Sequence, residues 1–400
     1  MNIIRVQELR PGIAFTQDVY IDGDTLFVPA KVPIKAKEIE RLLSWKIQAV
    51  QTEGEEYKEG PAQTQPAPRT PPGAEKPASP APPQGTAQEV KPENPQEAPP
   101  SPYRFPYEGA LVGLGILFMS MEKQRSLEAK AFQDILKGIL PLVMNEPQEW
   151  LNFTLENPSE KGNYSKSAVN CMIFAVNIAL KMEIEESEIE DLAMAALLHD
   201  AGMLRIPEDI RKKTGALSGA ELEKIKTHTL FIYRYAISTL GFSENVGLTA
   251  LLHHERWDGK GYPRQLAEEQ IPILARILSV ADSFEAMIRD TPYRDSLLAY
   301  TAMRQILNDN SRRFDANIIK VFIKSMGIYP VSSYVILNDG SIGIVSRINE
   351  EAPLRPEIRL LINKEGKKVH NLTLNLIEPE FKNFFIAKPF DPKEVKKSGK

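Results

Sequence analysis

The chain has 400 residues, of which 42% are hydrophobic and 26% charged, and its net charge is −4 at pH 7. This length exceeds what a single hydrophobic core usually organises, so we expect two or more domains. The negative net charge argues against a general binder of nucleic-acid polymers, which would normally have a basic surface. The single cysteine, Cys171, excludes an internal disulfide and fits a reducing compartment.

Two features of the sequence bear on location. Arg5 and Arg10 interrupt the stretch in which a secretory signal peptide would need an unbroken apolar run. The longest apolar stretch, residues 110–121, is shorter than the ~20 residues that cross a bilayer. We therefore expect a cytoplasmic protein without a membrane span.

Residues 1–57 have the pattern of a small α/β module. Strands are predicted at Ile3–Val6, Val19–Ile21, Leu26–Val28 and Ile47–Gln51, with a helix at Ala36–Trp45 before the last of them. The module contains no histidine, cysteine or glycine-rich phosphate loop. We predict a regulatory or docking role for it.

Residues 58–103 are predicted to form a disordered linker. Fourteen of the 31 prolines lie between Pro61 and Pro102, among alanine, glutamine, glutamate and lysine. Such a segment buries too little apolar surface to offset the entropy lost on ordering. A ligand for an SH3 domain is an alternative, but a plain spacer is favoured.

The pattern is helical across residues 104–326 and changes near residue 327. A small β-rich module is predicted for residues 327–380, and residues 381–400 are predicted to be a tail. The strands predicted in this module are Tyr334–Leu337, Ile342–Arg347, Ile358–Ile362 and Val369–Leu372. The expected fold class is therefore mainly α, with a small module on each side of a helical core.

Four of the five histidines lie between residues 199 and 254 of this helical region. A capping box of Ser187 with Glu190 predicts the start of a helix whose apolar stripe reaches His199 and Asp200. These two residues should therefore lie at the buried carboxyl end of a core helix.

Three further helices are predicted to carry similar residues on apolar faces. A second capping box, Ser218 with Glu221, predicts the start of the helix that contains His228. The next two predicted helices carry the remaining histidine and aspartate residues on their apolar stripes. His253 and His254 lie on the first of these helices, and Asp282 lies on the second.

Four predicted helices thus each direct a nitrogen or carboxylate group toward an apolar core. Groups buried in this way cost several kcal/mol unless they are paired or bind a metal. Imidazole combined with carboxylate suits Fe, Mn or Zn better than Mg or Ca. Core histidines without a metal are the alternative, which the convergence of four helices disfavours.

The run HHERWDGKGYP, residues 253–263, closely resembles the HHE…DG.GYP signature of the HD-GYP family, bacterial phosphodiesterases that hydrolyse cyclic di-GMP. The resemblance covers about residues 108–326, and residues 1–57 resemble, less closely, a small domain often found ahead of this core. Other matching segments are residues 199–202 with HD.GK, 213–218 with K.G.LT, 275–282 with RI..VAD and 292–294 with most of RPYR.

The resemblance implies an all-helical bundle that holds two, sometimes three, divalent metals. Fe or Mn is favoured here, and Zn also suits the ligands. A metal-bridging hydroxide would attack a phosphodiester phosphorus of the substrate. Asp200 would bridge the ions, and the implied ligand sets are His199 and Asp282 for one ion and His228, His253 and His254 for the other.

The resemblance also implies roles in catalysis and substrate binding. The catalytic residues would be Asp200, Tyr262 and Arg276. Contacts with cyclic di-GMP would come from Gly261, Tyr262, Pro263, Glu285 and Arg294. A protein partner, such as a diguanylate cyclase, could bind the loop at residues 259–263, although Asp-Gly and Gly-Tyr-Pro are also ordinary turn sequences.

The sequence departs from the family pattern at positions that matter for this chemistry. Ser167 stands where the family usually has a ligand histidine, and a serine is a far poorer ligand. Met203 replaces the lysine of HD.GK, and Thr291 replaces the first arginine of RPYR, so two cations near phosphate are lost. Glu285 is a milder change from aspartate. Each lost charge-assisted contact is worth roughly 1.5–3 kcal/mol.

Three hypotheses follow. The first is a metal-dependent phosphodiesterase acting on cyclic di-GMP, which the retained ligands favour. The second is a member without efficient turnover that serves as a cyclic di-GMP receptor or protein-interaction module, which the three departures favour. The third, an HD hydrolase for another nucleotide, would make the Gly-Tyr-Pro loop a coincidence.

Overall fold

The computed structural model describes residues 2–57, 101–289 and 299–390, apart from residues 22–24, 29, 37–38, 40–41, 43–48, 161, 214, 310–311 and 370–371. Most of the predicted helix at 36–45 and almost all of the predicted linker lie outside the described residues. The same holds for residues 391–400 of the predicted tail and for Thr291 and Arg294.

The N-terminal residues form a four-stranded antiparallel sheet in the order β1-β4-β2-β3. Its strands are β1 (Asn2–Arg5), β2 (Val19–Ile21), β3 (Thr25–Val28) and β4 (Ala49–Thr52). Each lies within two residues of a predicted strand. Val6, Val19 and Val50 belong to the apolar core under the sheet, because alternate side chains of a strand point to one face.

Eleven α-helices are present in the described residues 101–326. They are α1 (Arg104–Glu122), α2 (Ala129–Asn145), α3 (Pro147–Glu156), α4 (Tyr164–Lys181), α5 (Glu186–Leu198), α6 (Glu208–Arg211), α7 (Gly219–Arg234), α8 (Glu244–Leu252), α9 (Ile273–Ile288), α10 (Ala299–Asn308) and α11 (Ala316–Met326). All of them except the short α6 contribute residues to one large apolar core.

Helix α4 lies at the centre of this bundle. Every residue from Ser167 to Ala179 is buried, so α4 is covered on all sides, as expected for a helix without a polar face. Its two buried asparagine side chains have hydrogen-bond partners in earlier segments of the chain. Asn170 Nδ2 donates to the Asn157 carbonyl at 3.2 Å, and Asn177 Nδ2 donates to the Pro147 carbonyl at 2.8 Å. The first turns of α4 lie beside α9.

The two predicted capping boxes have different outcomes. The box at the start of α7 is confirmed, because Ser218 Oγ accepts from the Glu221 N–H at 3.3 Å and Glu221 accepts from the Ser218 N–H at 2.7 Å. The box of Ser187 with Glu190 is wrong. Helix α5 begins one residue before Ser187, and no side chain caps it.

The C-terminal residues form a five-stranded antiparallel sheet in the order β8-β7-β6-β5-β9. Its strands are β5 (Tyr334–Leu337), β6 (Ile342–Arg347), β7 (Glu357–Ile362), β8 (Thr373–Asn375) and β9 (Ile386–Pro389). The first two match the predicted strands, and the third starts one residue earlier.

The end of this sheet corrects two predictions. Strand β8 begins after the predicted strand Val369–Leu372. Strand β9 pairs with β5 although it lies in residues predicted to be tail, so the sheet extends beyond residue 380. Strand β9 has only four residues and ends in Pro389, so its pattern is too short to be recognised as a strand from the sequence.

The expected fold class is confirmed: a mainly helical chain with a small antiparallel sheet near each end. Among the described residues, no helix combines the length and apolar character that a membrane crossing requires.

Candidate metal centre

The six predicted metal ligands come together in the structure from four helices. His199 and Asp200 directly follow α5, His228 lies within α7, His253 and His254 directly follow α8, and Asp282 lies within α9. Helix ends and inward faces of the bundle thus place these side chains in one cluster.

The cluster consists of two groups that share Asp200. One group contains Asp200, His228, His253 and His254, and the other contains His199, Asp200 and Asp282. Within each group the available ligand atoms all lie within 4.8 Å of one another. Each group could therefore hold one ion, and the shared carboxylate could contact both.

Three of the histidines are oriented by the backbone. In each, Nδ1 lies 2.7 Å from the carbonyl oxygen three residues earlier, that of Ala196 for His199, Ile225 for His228 and Ala250 for His253. A carbonyl oxygen only accepts, so Nδ1 carries the proton, and in a neutral ring the lone pair lies on Nε2.

The three Nε2 atoms are buried and have no hydrogen-bond partner in the structure. Buried polar atoms are nearly always satisfied, and an unsatisfied one costs roughly 1–3 kcal/mol. Three such atoms on His199, His228 and His253, next to two carboxylates, fit the donor set of a divalent transition metal. This is the observation that links the cluster to metal binding.

The carboxylates and burial act in opposite directions on the histidines. Burial disfavours the charged ring of His199, but Asp200 and Asp282 outweigh it and raise the pKa of His199 to about 9. Burial and the neighbouring His199 lower the pKa of His253 to about 4. Burial also raises the pKa of Asp282, but His199, whose Nε2 lies 3.5 Å from Asp282 Oδ1, lowers it well below its ordinary value.

A glycine allows the segment after Asp200 to pack on α7. A Cβ atom on Gly202 would lie 2.1 Å from the backbone oxygen of His228, a distance that no side chain could relieve. Glycine is therefore required here to bring Asp200 and His228 together, with Asp200 Oδ1 3.5 Å from His228 Nε2.

The loop at residues 259–263 lies against the histidine-rich group. The ring centroid of Tyr262 is 4.7 Å from that of His254, with the planes tilted by 32°. Lys226 Nζ lies 5.6 Å from the Tyr262 ring centroid. Burial and the charges of Asp200 and Asp282 raise the pKa of Tyr262, so its hydroxyl stays protonated and can donate.

Backbone contacts fix the position of this loop. A Cβ atom on Gly261 would lie 2.5 Å from backbone atoms of Glu255 and Arg256, so only glycine fits. The Glu255 carboxylate accepts from the N–H groups of Arg264 at 2.6 Å and Leu266 at 3.1 Å. The loop is thereby held beside the histidines, and Pro263 is exposed at its end.

Arg276 makes contacts away from the cluster. Its Nη1 donates to Asp315 Oδ2 at 2.7 Å, and its guanidinium carbon lies 5.6 Å from the Trp257 ring centroid. Asp315 also caps the start of α11 by accepting from the Asn317 N–H at 2.8 Å. The structure thus gives Arg276 a bridging position between α9 and α11.

Glu285 is fully buried and hydrogen-bonded to side chains. It accepts from Ser167 Oγ at 2.7 Å, from Ser159 Oγ and from Arg289, whose Nε is 3.1 Å away. Arg289 Nη2 also donates to Ser167 Oγ at 2.6 Å. Ser167, the position of the missing ligand histidine, is therefore part of a buried ion-pair network beside the cluster.

Sequence reasoning missed two cations near the cluster. Arg289 and Lys226 were not among the predicted site residues. A signal existed for Arg289, because it follows Asp282 by seven residues and Glu285 by four, which places all three on neighbouring parts of one helical face. Lys226 gave no such signal, since its contact with Tyr262 depends on the loop.

Comparison with known proteins supports the assignment of the core. Residues 151–318 match the HD domain family, and residues 334–398 match the KOW domain associated with the HD domain.

Three curated relatives illustrate the similarity. A cyclic di-GMP phosphodiesterase of Pseudomonas aeruginosa is 29% identical over 63% of this chain and 60% of its own length. One of Borreliella burgdorferi is 35% identical over 50% of this chain and 53% of its own length. The 3'3'-cGAMP-specific phosphodiesterase 1 of Vibrio cholerae is 32% identical over 50% and 44% respectively.

This chain thus spans less than two thirds of the length of each of these relatives. The HD domain match covers the residues that supply all six members of the cluster, and the HHE and GYP residues lie in the matched segment. The chain therefore contains an HD domain, and this domain includes the HHE and GYP residues that resemble the HD-GYP signature.

Proposed function

We propose that this protein is a metal-dependent phosphodiesterase that hydrolyses cyclic di-GMP. The observation that carries the proposal is the set of three buried Nε2 atoms on His199, His228 and His253 that have no hydrogen-bond partner. They meet the carboxylates of Asp200 and Asp282 at one place. Names of relatives support this substrate, since two of the three described above are cyclic di-GMP phosphodiesterases.

The six cluster residues would hold two divalent ions, with Fe or Mn favoured and Zn also suited to the ligands. When bound, the ions would activate water and stabilise charge on the phosphate oxygens. This mechanism is the one that the resemblance to the HD-GYP family implies. Asp200 would belong to both ligand sets, and His228, His253 and His254 would complete one of them.

The residues around the cluster would position the substrate. The Tyr262 hydroxyl, kept protonated, would donate to a phosphate or sugar oxygen, while Gly261 and Pro263 shape the loop that carries it. Lys226, close to the Tyr262 ring, adds positive charge at this edge. The roles predicted for Arg276, Glu285 and Arg294 remain predictions.

The test combines metal analysis with hydrolysis. Purified protein should contain Fe or Mn, or acquire Mn²⁺ on addition, and should convert cyclic di-GMP to the linear dinucleotide or to GMP. The variant Asp282→Asn, which removes one charged ligand of the cluster, should lose activity. Protein that binds no ion and hydrolyses nothing in excess Mn²⁺ or Fe²⁺ would contradict the proposal.

Substrate choice needs a parallel measurement. One relative is named as specific for 3'3'-cGAMP, a related cyclic dinucleotide. The rate with 3'3'-cGAMP should therefore be measured beside that with cyclic di-GMP at equal concentrations. A clear preference for 3'3'-cGAMP would keep the metal chemistry and replace the proposed substrate.

A receptor function is the second candidate. It is favoured by Ser167, which is engaged with Glu285 and Arg289, and by Met203, which brings no positive charge. Binding of cyclic di-GMP at saturating metal without hydrolysis would support it. The protein partner at the 259–263 loop and the regulatory role of residues 1–57 are further predictions that belong to either function.

A further inference from the structure

Arg289 directly follows α9 and is largely enclosed, with only 17% of its side chain exposed. Its Nε donates to Glu285 Oε2 at 3.1 Å, and its Nη2 donates to Ser167 Oγ at 2.6 Å and also to Glu285. The ion pair with Glu285 is of the i,i+4 type, and the Glu285 side chain is fully buried. A guanidinium is thus fixed in one orientation by two neighbouring helices.

Both oxygens of Glu285 are used within this network. Oε1 accepts from Ser159, and Oε2 accepts from Ser167 and Arg289. A metal ion could reach Oε2 only by displacing Ser167 or Arg289, and Oε1 is already in use as an acceptor from Ser159. The Ser167 hydroxyl is also committed, because it donates to Glu285 and accepts from Arg289.

The network lies within electrostatic reach of the cluster. Burial opposes the charge of Arg289, but Glu285, and to a smaller extent Asp200 and Asp282, raise its pKa further above the ordinary value. A guanidinium stays charged at any pH at which proteins fold. The side of the cluster next to α4 therefore has a guanidinium that stays charged and is paired with the Glu285 carboxylate.

We propose that Arg289 is a fixed cation of the metal centre, which closes the side of the cluster at Ser167 to a further ion and limits the centre to two. This inference depends on the proposed metal binding. A divalent ion at that side would need Ser167 or Glu285 as a ligand, would break that residue's hydrogen bond with Arg289 and would meet the guanidinium charge that Glu285 now balances. These requirements oppose its binding.

According to this inference, the single variant Ser167→His should not add a metal ion to the centre. A histidine there would meet Arg289 and Glu285 in place of a metal ion, so the ion count should not change. The double variant Ser167→His with Arg289→Ser removes the guanidinium and supplies a ligand. It should bind one more ion than the natural chain.

The experiment counts Mn²⁺ ions per chain by elemental analysis after equilibration with a series of free Mn²⁺ concentrations. The natural chain and Ser167→His should each saturate at two ions, and the double variant at three. Arg289→Lys, which keeps a cation, should also saturate at two. Lys212→Ser is the matched control, because Lys212 with Glu208 forms an i,i+4 ion pair that is exposed.

Loss of Arg289 leaves the buried Glu285 carboxylate without its cation, so the double variant needs a companion. Adding Glu285→Gln removes the uncompensated negative charge and keeps a side chain of nearly the same size. Either folded variant, checked by circular dichroism, can show the third ion. Three ions in the natural chain, or two in both folded variants, would overturn the inference. No ion in the natural chain would overturn the proposed metal centre itself.

Discussion

The two halves of the cluster differ in how completely the protein prepares them. The histidine-rich half offers four ligand residues, Asp200, His228, His253 and His254. The carboxylate half offers three, His199, Asp200 and Asp282. Ser167 is the position at which a histidine would add a fourth candidate ligand beside the carboxylate half, but its hydroxyl is bound to Glu285 and Arg289.

From this difference we expect the two halves of the cluster to have unequal affinity for a metal ion. Ligand number favours tighter binding in the histidine-rich half, since each additional well-placed ligand reduces what water must supply. Protonation acts in the same direction, because burial keeps His253 neutral, whereas the two carboxylates favour a proton on His199. We expect one ion to be held firmly and the second to enter on addition of metal.

The largest effect is expected for Asp200→Asn, because both halves share this carboxylate. An amide carries no negative charge, so both ions should lose affinity together. Hydrolysis should fall by about a thousandfold, as for removal of one charge-stabilising group from an active site. The measurements are the initial rate and the Mn²⁺ content.

The control for this variant is Asp209→Asn, which makes the same chemical change at an exposed residue. It should keep the rate and the metal content of the natural chain. Loss of only one ion in Asp200→Asn would show that the halves do not depend on a common ligand.

His253→Ala should separate the halves by emptying the histidine-rich one. An ion present at about a hundred times its dissociation constant stabilises a protein by roughly 2.7 kcal/mol. Chelation should thus lower the melting temperature of the natural chain by about 5–10 °C, and of His253→Ala by much less. The quantity compared is the shift caused by EDTA, which is insensitive to any packing defect that the variant introduces.

Asp282→Asn provides the contrast, because it affects the carboxylate half. This variant should retain most of the EDTA-induced shift. If EDTA leaves the melting temperature of the natural chain unchanged, the cluster is core packing and the comparison between its halves is void.

Met203→Lys tests whether lost positive charge limits substrate binding beside Asp200. Met203 lies half-buried in the short 3-10 turn that follows Asp200. One regained charge-assisted contact with phosphate is worth about 1.5 kcal/mol, which corresponds to a roughly tenfold lower KM for cyclic di-GMP. Met119→Lys, on the exposed side of α1, should leave KM unchanged. An equal KM in both variants would indicate that Met203 lies outside the phosphate site.

The convergence of the cluster residues could be predicted because each belongs to a periodic stripe or a family motif. His199, His228 and Asp282 lie on helical faces whose other members are apolar, and this pattern survives small errors in helix bounds. The strands around the turn at residues 339–340 were equally clear, since alternation and turn residues agree there.

What could not be predicted depends on contacts between distant segments. The sequence shows that Ser167 lacks an imidazole, but not that Glu285 and Arg289 would pair with it across two helices. Arg276 has the spacing of a site residue, yet its ion pair is with Asp315 at the start of α11. Side-chain partners of this kind are set by tertiary packing, which periodicity does not encode.

The smallest effect is expected at the helix starts, which differ between the halves. Helix α7, which carries His228, begins with a capping box, whereas α5, which leads to His199, begins without a side-chain cap.

Hydrogen bonds from Lys213 and from the backbone and side chain of Ser218 lower the pKa of Glu221 from 4.5 to about 2. A carboxyl group whose pKa is lower in the folded state stabilises the fold above its unfolded pKa and loses this effect as the pH falls through the folded pKa. Glu221→Gln should therefore melt at a lower temperature than the natural chain at pH 7, and this difference should shrink between about pH 4.5 and pH 2. Glu190→Gln, at the box that does not form, should show no such pH-dependent difference, and an equal effect in both variants would mean that general surface charge, and not the cap of α7, is responsible.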